Sequence, residues 1–303
     1  MAPRTLHPGQ LDLFIHSCAV ILANETIDAL LAHEAGRAGG CFDRLRAGAP
    51  DHWALESLHT LCRALADWPL PSATPAEIAD AVRTLEAGVQ PAADVALGDK
   101  APRFMRPFWR DLADAARLHA YDAAFPQSHC AGLYLRCGDP PAAATAADSI
   151  PNRDDNADAL HWLAVAHYRM VGLDAARAQL MRLALLAPQR LATTLADIAD
   201  PLLHRDWSAF CAACYWLDPH DTTMAAWFPA WYLAEHPGMR IAPDEANNLP
   251  TTPAAETYVA IARVLELEKS GYSAELVAAR SRLRDLDAEL FAHYMARREA
   301  CHR

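Results

Sequence analysis

Apolar residues recur at three- and four-residue intervals along most of this chain, the spacing that places them on one face of an α-helix. Prolines interrupt the pattern at distances that suit helical hairpins. Together these signals predict helices near residues 15–35, 52–67, 75–88, 103–124, 127–137, 141–149, 156–171, 173–186, 189–199, 206–217, 221–235, 254–269, 273–282 and 284–300. The apolar β-branched runs that would predict strands are missing from the sequence. The predicted fold class is therefore all-α.

A short pattern repeats inside this helical region. Tyr134-Leu-Arg-Cys-Gly138 is followed 34 residues later by Tyr168-Arg-Met-Val-Gly172, and this offset is the period of the tetratricopeptide repeat. Other matching positions are Trp162, Ala164, Ala176, Leu180 and Pro188 in the second copy, and Ala143 and Pro151 in the first. Residues 127–188 thus resemble a degenerate tetratricopeptide (TPR)-like array of α-hairpins. The resemblance implies an α-solenoid, in which neighbouring hairpins stack because none buries its apolar face alone.

An irregular helical bundle is the alternative architecture. Residues 189–253 contain no clean copy of the repeat, and residues 36–102 are ambiguous. Within either architecture we expect an N-terminal peptide over residues 1–14 and a helical-repeat domain over 15–241. The C-terminal helices over 254–303 are then either a subdomain or a continuation of the array, because the prolines before them favour a longer connection.

Composition narrows the class of protein. Hydrophobic residues make up 52% and charged residues 21% of the 303 residues, which is enough to bury a large core. The net charge of −11 argues against direct contact with nucleic acid, since binding to phosphates is driven by basic side chains. No apolar run reaches the ~18 residues of a membrane span, and the N-terminus lacks a signal peptide. We therefore expect a cytoplasmic protein with reduced cysteines, no cofactor and no membrane contact.

The segment Gln10-Leu11-Asp12-Leu13-Phe14 is the clearest candidate for a partner-binding peptide. It resembles the pentapeptide with which many bacterial replication and repair proteins bind the DNA polymerase sliding clamp, and all five positions agree. The resemblance implies that Leu13 and Phe14 fill an apolar pocket while Leu11 occupies a lesser subsite. It further implies that Gln10 bonds polar groups at the pocket mouth and that Asp12 faces water. The alternative is that residues 11–35 are structural, because apolar residues recur there at helical spacing.

The aspartates Asp154, Asp155 and Asp158 are a candidate metal site. Their spacing resembles the magnesium-binding motif of isoprenoid synthases, which are also all-helical, and the resemblance implies a diphosphate-processing enzyme with Glu256 opposite the aspartates. The alternative is that the acids cap the helix that follows Pro151, where they complement the helix dipole. We expect the capping role, and therefore no metal.

Two tryptophans complete the set of candidate site residues. Trp227 and Trp231 lie four residues apart in the densest aromatic segment, so on one helix they would share a face. They are candidates either for a groove that receives a partner's peptide or for a core that joins two hairpins. The predicted function is a non-catalytic protein-binding adaptor whose N-terminal peptide tethers it to the sliding clamp. The alternatives are a scaffold with an unrelated protein partner and the magnesium-dependent enzyme.

Overall fold

The chain is almost entirely helical in the computed structural model, which describes residues 8–68, 74–214, 223–238 and 249–301, with side chains from residue 18 to residue 299. The helices are α1 Pro8–Leu31, α2 Ala35–Gly48, α3 Leu55–Asp67, α4 Pro75–Thr84, α5 Gln90–Leu97, α6 Ala101–Ala116, α7 Cys130–Cys137, α8 Pro140–Asp148, α9 Ala157–Met170, α10 Leu173–Leu186, α11 Leu191–Ile198, α12 Pro201–Ala213, α13 Phe228–Glu235, α14 Pro253–Lys269, α15 Ala274–Leu286 and α16 Ala288–Cys301. No strand occurs in these ranges, and the all-α class is confirmed. None of the helices described is long and apolar enough to cross a bilayer.

The helices fall into two compact units, Met1–Asp139 and Pro140–Arg303. In unit 1, α1 packs on α2, α2 on α3, α3 on α5, and α6 on α7. The interior of this unit is aliphatic and aromatic, with Leu30, Leu58 and Phe104 fully buried. The boundary between the units lies within the range 15–241, between α7 and α8.

One helix of unit 1, α2, lies where the sequence was ambiguous. Four glycines within or at the end of α2 lower its intrinsic helix propensity by roughly 1 kcal/mol each. The helix forms because it packs closely on α1 and buries Cys41, Phe42 and Leu45 on that unit's core side. Tertiary packing therefore outweighs local propensity at this point.

An irregular helical rod follows in unit 1. The rod begins at a capping box, in which the Glu77 amide donates to the Thr74 hydroxyl at 3.4 Å and the Thr74 amide donates to the Glu77 carboxylate at 2.7 Å. It continues as a π-helical segment, Leu85–Val89, and then as α5. The sequence predicted an end near residue 88, where Gly88 and the following proline disfavour a regular helix. The helix continues through these residues because the segment forms a wider π turn.

Unit 2 is built around α13, which is buried along most of its length. This helix packs on α10, α12, α14 and α16, and the rings of Phe210, Phe228 and Trp231 meet in its core at centroid distances of 5.5 to 6.1 Å. The C-terminal helices α14 to α16 pack on one another and on α13. They therefore belong to the same compact unit as the helices before them.

The two copies of the 34-residue pattern have different surroundings. In the second, α9 and α10 pack against each other on either side of Gly172, within unit 2. In the first, α7 belongs to unit 1, where it packs on α6, and α8 belongs to unit 2, where it packs on α9. Helical hairpins are therefore present, while a TPR-like solenoid stays a prediction.

Candidate functional site

The clamp-like pentapeptide lies within α1, which begins at Pro8; the side chains of residues 10–14 are outside the described part of the chain. Positions 13 and 14 precede Val20 and Ile21 by seven residues, nearly two helical turns, so they share a helix face with them. Val20 and Ile21 are 54% and 56% exposed. The core-facing side of α1 is instead formed by Ala19, Ala23, Thr26, Ala29 and Leu30. The described part of α1 therefore exposes two apolar side chains, Val20 and Ile21.

The three candidate metal-binding aspartates are each next to an arginine. Asp155 lies 3.0 Å from Arg182, and Asp158 forms an ion pair with Arg190. Asp154 lies 3.7 Å from the arginine that precedes it. Among the described residues, no group of three or more His, Cys, Asp or Glu side chains could hold a metal ion.

The capping role falls on a neighbour of these acids. The Asn156 side-chain oxygen accepts from the amides of Asp158 and Ala159, at 2.9 and 3.0 Å, at the start of α9. The prediction that Asp154 and Asp155 cap this helix is wrong by one or two positions. Both acids lie in the 3₁₀ turn Arg153–Asp155, before the cap. Asn156 is the capping residue, since it has the extended backbone that this position needs.

The two candidate tryptophans have different environments. Trp231 is 3% exposed and packs on Phe210 and Phe228 in the core. Trp227 is half-buried and lines an apolar cavity of about 390 Å³ together with Leu185 and Pro188. Trp227 ends the 3₁₀ turn Met224–Trp227 and directly precedes α13, which contains Trp231. Of the pair, only Trp227 borders a space that a ligand could enter.

A larger groove, which the sequence did not predict, runs beside the α14–α15 hairpin. It has a volume of about 490 Å³, within the range of roughly 300–1,000 Å³ typical of ligand sites. Its floor is apolar, formed by Val259 and Ala260 of α14 and Ala279 of α15. One wall is the segment Leu249-Pro250-Thr251, which leads into α14. We call this site the α14–α15 groove.

Charged side chains line the rim of the α14–α15 groove. Glu256, Arg263 and Arg282 border it. Arg263 lies 3.5 Å from Glu275, and both side chains are mostly exposed. Glu256 and Arg282 have no ion-pair partner within 4 Å among the described residues. An unpaired guanidinium beside an apolar floor can bind a carboxylate in a bidentate way.

The sequence of this chain matches no family model, no curated protein and no solved structure. Its function must therefore be inferred from these features of the molecule itself.

Other charged groups in unit 2 are engaged in ion pairs between helices. Glu235 of α13 accepts from His293 at 2.6 Å and pairs with Arg297 at 2.6 Å, both on α16. Asp206 of α12 lies 3.0 Å from His236. These contacts join α12, α13 and α16, and none of them involves a residue that lines the α14–α15 groove.

A third ionic group joins the last three helices. Glu268 of α14 forms ion pairs with Arg280 and Arg298, and the Tyr294 hydroxyl also donates to it. Burial raises the pKa of the Tyr294 hydroxyl to about 12, and the bond to Glu268 acts in the same direction. Tyr294 is therefore a neutral donor at physiological pH, and its role here is to hold the helices together.

Proposed function

We propose that this protein is a protein-binding adaptor that holds a segment of its partner in the α14–α15 groove. The observation that carries the proposal is the combination of an apolar lining of Val259, Ala260 and Ala279 with two charged side chains, Glu256 and Arg282, that have no ion-pair partner among the described residues. Protein interfaces have this composition, with an apolar centre and a polar edge.

The groove suits a peptide better than a compact molecule. It is lined by residues of a helix pair and of the segment that leads into α14. Small side chains on the floor, Ala260 and Ala279, leave room for apolar side chains of a peptide. Arg282 on the rim would bind a carboxylate of the peptide, and Glu256 would accept its amide hydrogens.

Peptide selection tests this function. We expect short random peptides displayed on phage to be enriched on the purified protein. Binding of the enriched peptides should be lost in Val259→Asp, which places a charge on the groove floor. The matched control is Val277→Asp, because Val277 is exposed on α15 and does not line the groove. No enrichment, or equal binding to both variants, would contradict the proposal.

The second part of the proposed function is a tether to the bacterial sliding clamp through residues 10–14. It is supported by the agreement at all five positions and by the open apolar face that positions 13 and 14 share with Val20 and Ile21. Binding as an extended peptide would require the first turns of α1 to unwind. That is a modest cost, since terminal helical turns lack stabilising neighbours on one side.

A pulldown with purified sliding clamp tests the tether. The intact protein should retain the clamp, and the double variant Leu13→Ala, Phe14→Ala should not, since the apolar anchors contribute roughly 1.5–3 kcal/mol each. The matched control is Val20→Ala, Ile21→Ala, on the same face two turns later, which should still bind. A failure of the intact protein to bind would leave an adaptor with an unrelated partner.

That alternative, in which residues 11–35 are structural, makes its own prediction. The Leu13→Ala, Phe14→Ala variant would then lower the melting temperature markedly, because it would remove core volume. An unchanged melting temperature together with lost clamp binding would favour the tether. The thermal and binding measurements therefore separate the two adaptors.

A further inference from the structure

A row of basic side chains lies along one face of α6 in unit 1. Arg103, Arg106 and Arg110 are spaced by three and four residues, which aligns them on the helix. Lys100 precedes the row and Arg117 follows it at the helix C-terminus. The rise between successive arginines is about 4.5 and about 6 Å, at 1.5 Å per residue. We call these five residues the α6 basic stripe.

The stripe is held outward by the packing of the helix. The opposite face of α6 buries Phe104, Phe108 and Leu112 in the core of unit 1. Lys100, Arg103, Arg106 and Arg117 are all exposed. Because a long core-facing side anchors α6, the orientation of the stripe is fixed.

The stripe is also where the unpaired arginines of unit 1 are found. The described arginines of unit 1 that lie outside the stripe all form ion pairs; they are Arg37, Arg44, Arg46, Arg63, Arg83 and Arg136. Within the stripe, Arg110 pairs with Asp139 at 3.0 Å. Arg103, Arg106 and Arg117 have no partner within 4 Å among the described residues. Among the described residues of unit 1, arginines without an acidic partner therefore occur only along this helix face.

The acidic groups near the stripe are few: Asp139 pairs with Arg110, and two further carboxylates accept hydrogen bonds from other side chains. The Asp114 carboxylate accepts from the Tyr134 hydroxyl at 3.2 Å, and the Asp111 carboxylate accepts from the Trp68 indole at 3.3 Å. Asp99 lies in the turn before α6. Between residues 99 and 117 there are thus five basic and three acidic side chains, in a chain whose net charge is −11.

An apolar side chain completes the surface. Leu118, directly after Arg117, is 84% exposed. An exposed apolar residue beside a charged row is typical of protein interfaces, where a buried anchor is surrounded by polar contacts. Nucleic acid is disfavoured as the occupant, because the net negative charge of the whole chain repels a polyanion at long range.

We propose that the α6 basic stripe docks an acidic α-helix of a partner protein. Glutamates on a helix at three- and four-residue spacing recur with the same rise as the arginines of the stripe, so the guanidinium groups of Arg103 and Arg106 can each meet a carboxylate, next to the Arg110–Asp139 pair. Leu118 packs against an apolar residue of that helix. This surface lies in unit 1 and does not depend on the α14–α15 groove or on residues 10–14.

Fluorescence anisotropy with a defined probe tests this proposal. The probe is an alanine-based helical peptide with glutamates at that spacing and one leucine, and its control carries glutamines instead. We expect the full-length protein to bind the glutamate peptide and not the glutamine peptide, more weakly at high salt. Arg103→Glu with Arg106→Glu should weaken binding by about tenfold or more, because both contacts become repulsive.

The matched control is Arg63→Glu with Arg83→Glu, which changes the net charge equally on other exposed helices of unit 1. It should change the affinity by less than about twofold. Equal loss in both double variants, equal binding of the glutamine peptide, or no binding of the glutamate peptide would overturn the proposal. Preferential binding of a single-stranded oligonucleotide that depends on Arg103 and Arg106 would also overturn it, in favour of nucleic acid.

Discussion

The two copies of the Tyr-to-Gly pattern share their spacing and differ in what they build. Tyr134 is buried in unit 1 and its hydroxyl donates backward to Asp114. Tyr168 is half-buried in unit 2 and its hydroxyl donates forward, at 3.1 Å, to Asp200, the capping residue of α12. A repeated period therefore specifies where helices end, and the residues outside the repeat decide which neighbours those helices contact.

The turns of the two copies differ as well. Gly138 has φ 78° and ψ 35°, a left-handed residue that closes α7, and the next amide donates to the Tyr134 carbonyl at 2.9 Å. Gly172 has φ 117° and ψ −172° and immediately precedes α10. The first glycine is a C-terminal cap. The second occupies a backbone region that is essentially restricted to glycine.

Replacing the tyrosines should give the largest difference between the copies. We expect Tyr134→Ala to lower the free energy of unfolding by about 3–5 kcal/mol, because it empties a buried site. Tyr168→Ala should cost only about 1–2 kcal/mol, mostly for the lost hydrogen bond and partial burial. Urea denaturation of both variants measures this, and equal losses would show that the two sites are packed alike.

The glycines should give the next largest effect. Gly172→Ala is expected to destabilise the protein by about 2–3 kcal/mol, and Gly138→Ala by about 1 kcal/mol, because only the left-handed conformation of Gly138 is open to other residues. Asparagine, which tolerates the left-handed region, should be accepted at 138 and not at 172. Thermal unfolding of the four variants checks the order, and a reversed order would contradict the turn assignments.

Acid should affect both units through buried histidines. Burial lowers the pKa of His33 in unit 1 and of His161 in unit 2 below the ordinary 6.5. The unfolded chain then binds more protons, so this stability is complete above about pH 6.5 and declines as the pH falls further. His161 is more deeply buried, so His161→Gln should flatten the pH dependence more than His33→Gln. Urea midpoints at about pH 7.5 and 5.5 test this, and no flattening would assign the effect to other groups.

The smallest effect should be a gain in stability. An added Cβ at Gly39 or Gly40 in α2 would meet no atom within 4 Å. Alanine at either position should therefore raise the free energy of unfolding by about 0.5–1 kcal/mol, because it restricts the unfolded chain. These variants contrast with Gly138, where alanine should cost stability. A lower melting temperature in Gly39→Ala would show that the glycine is needed for packing.

Capping and turn residues in the sequence were sufficient to predict helix boundaries where the helix also ends at the edge of the core. The predicted helices 156–171 and 173–186 match α9 and α10 to within a residue, because Asn156, Gly172 and Pro188 all mark boundaries. The helix predicted near 103–124 instead ends at Ala116. Apolar spacing continues past that point, but Leu118 has no core to enter. Periodicity alone does not reveal where the interior of a unit stops.

The candidate sites were harder to predict, since they depend on pairs of elements. The α14–α15 groove is lined by residues of two helices, among them Ala260 of α14 and Ala279 of α15, and the pattern of a single helix does not contain their relative placement. The α6 basic stripe was not among the predicted sites, because what distinguishes it is the lack of ion-pair partners among the described residues, and the sequence does not contain that information. The spacing of Trp227 and Trp231 likewise does not show that only Trp231 is buried in the core while Trp227 lines a cavity.

The π segment Leu85–Val89 has a consequence for how this chain tolerates change in length. A π turn holds one residue more than an α turn, so deleting one residue there would produce a straight, regular helix. Because the wide turn already absorbs the extra residue, this deletion would leave Ala92, Ala93 and Ala96 near their present faces in the interior. A deletion inside one of the regular helices would instead turn every later position by about 100°, so the π segment is the place in this rod where the chain can lose a residue and keep its buried face.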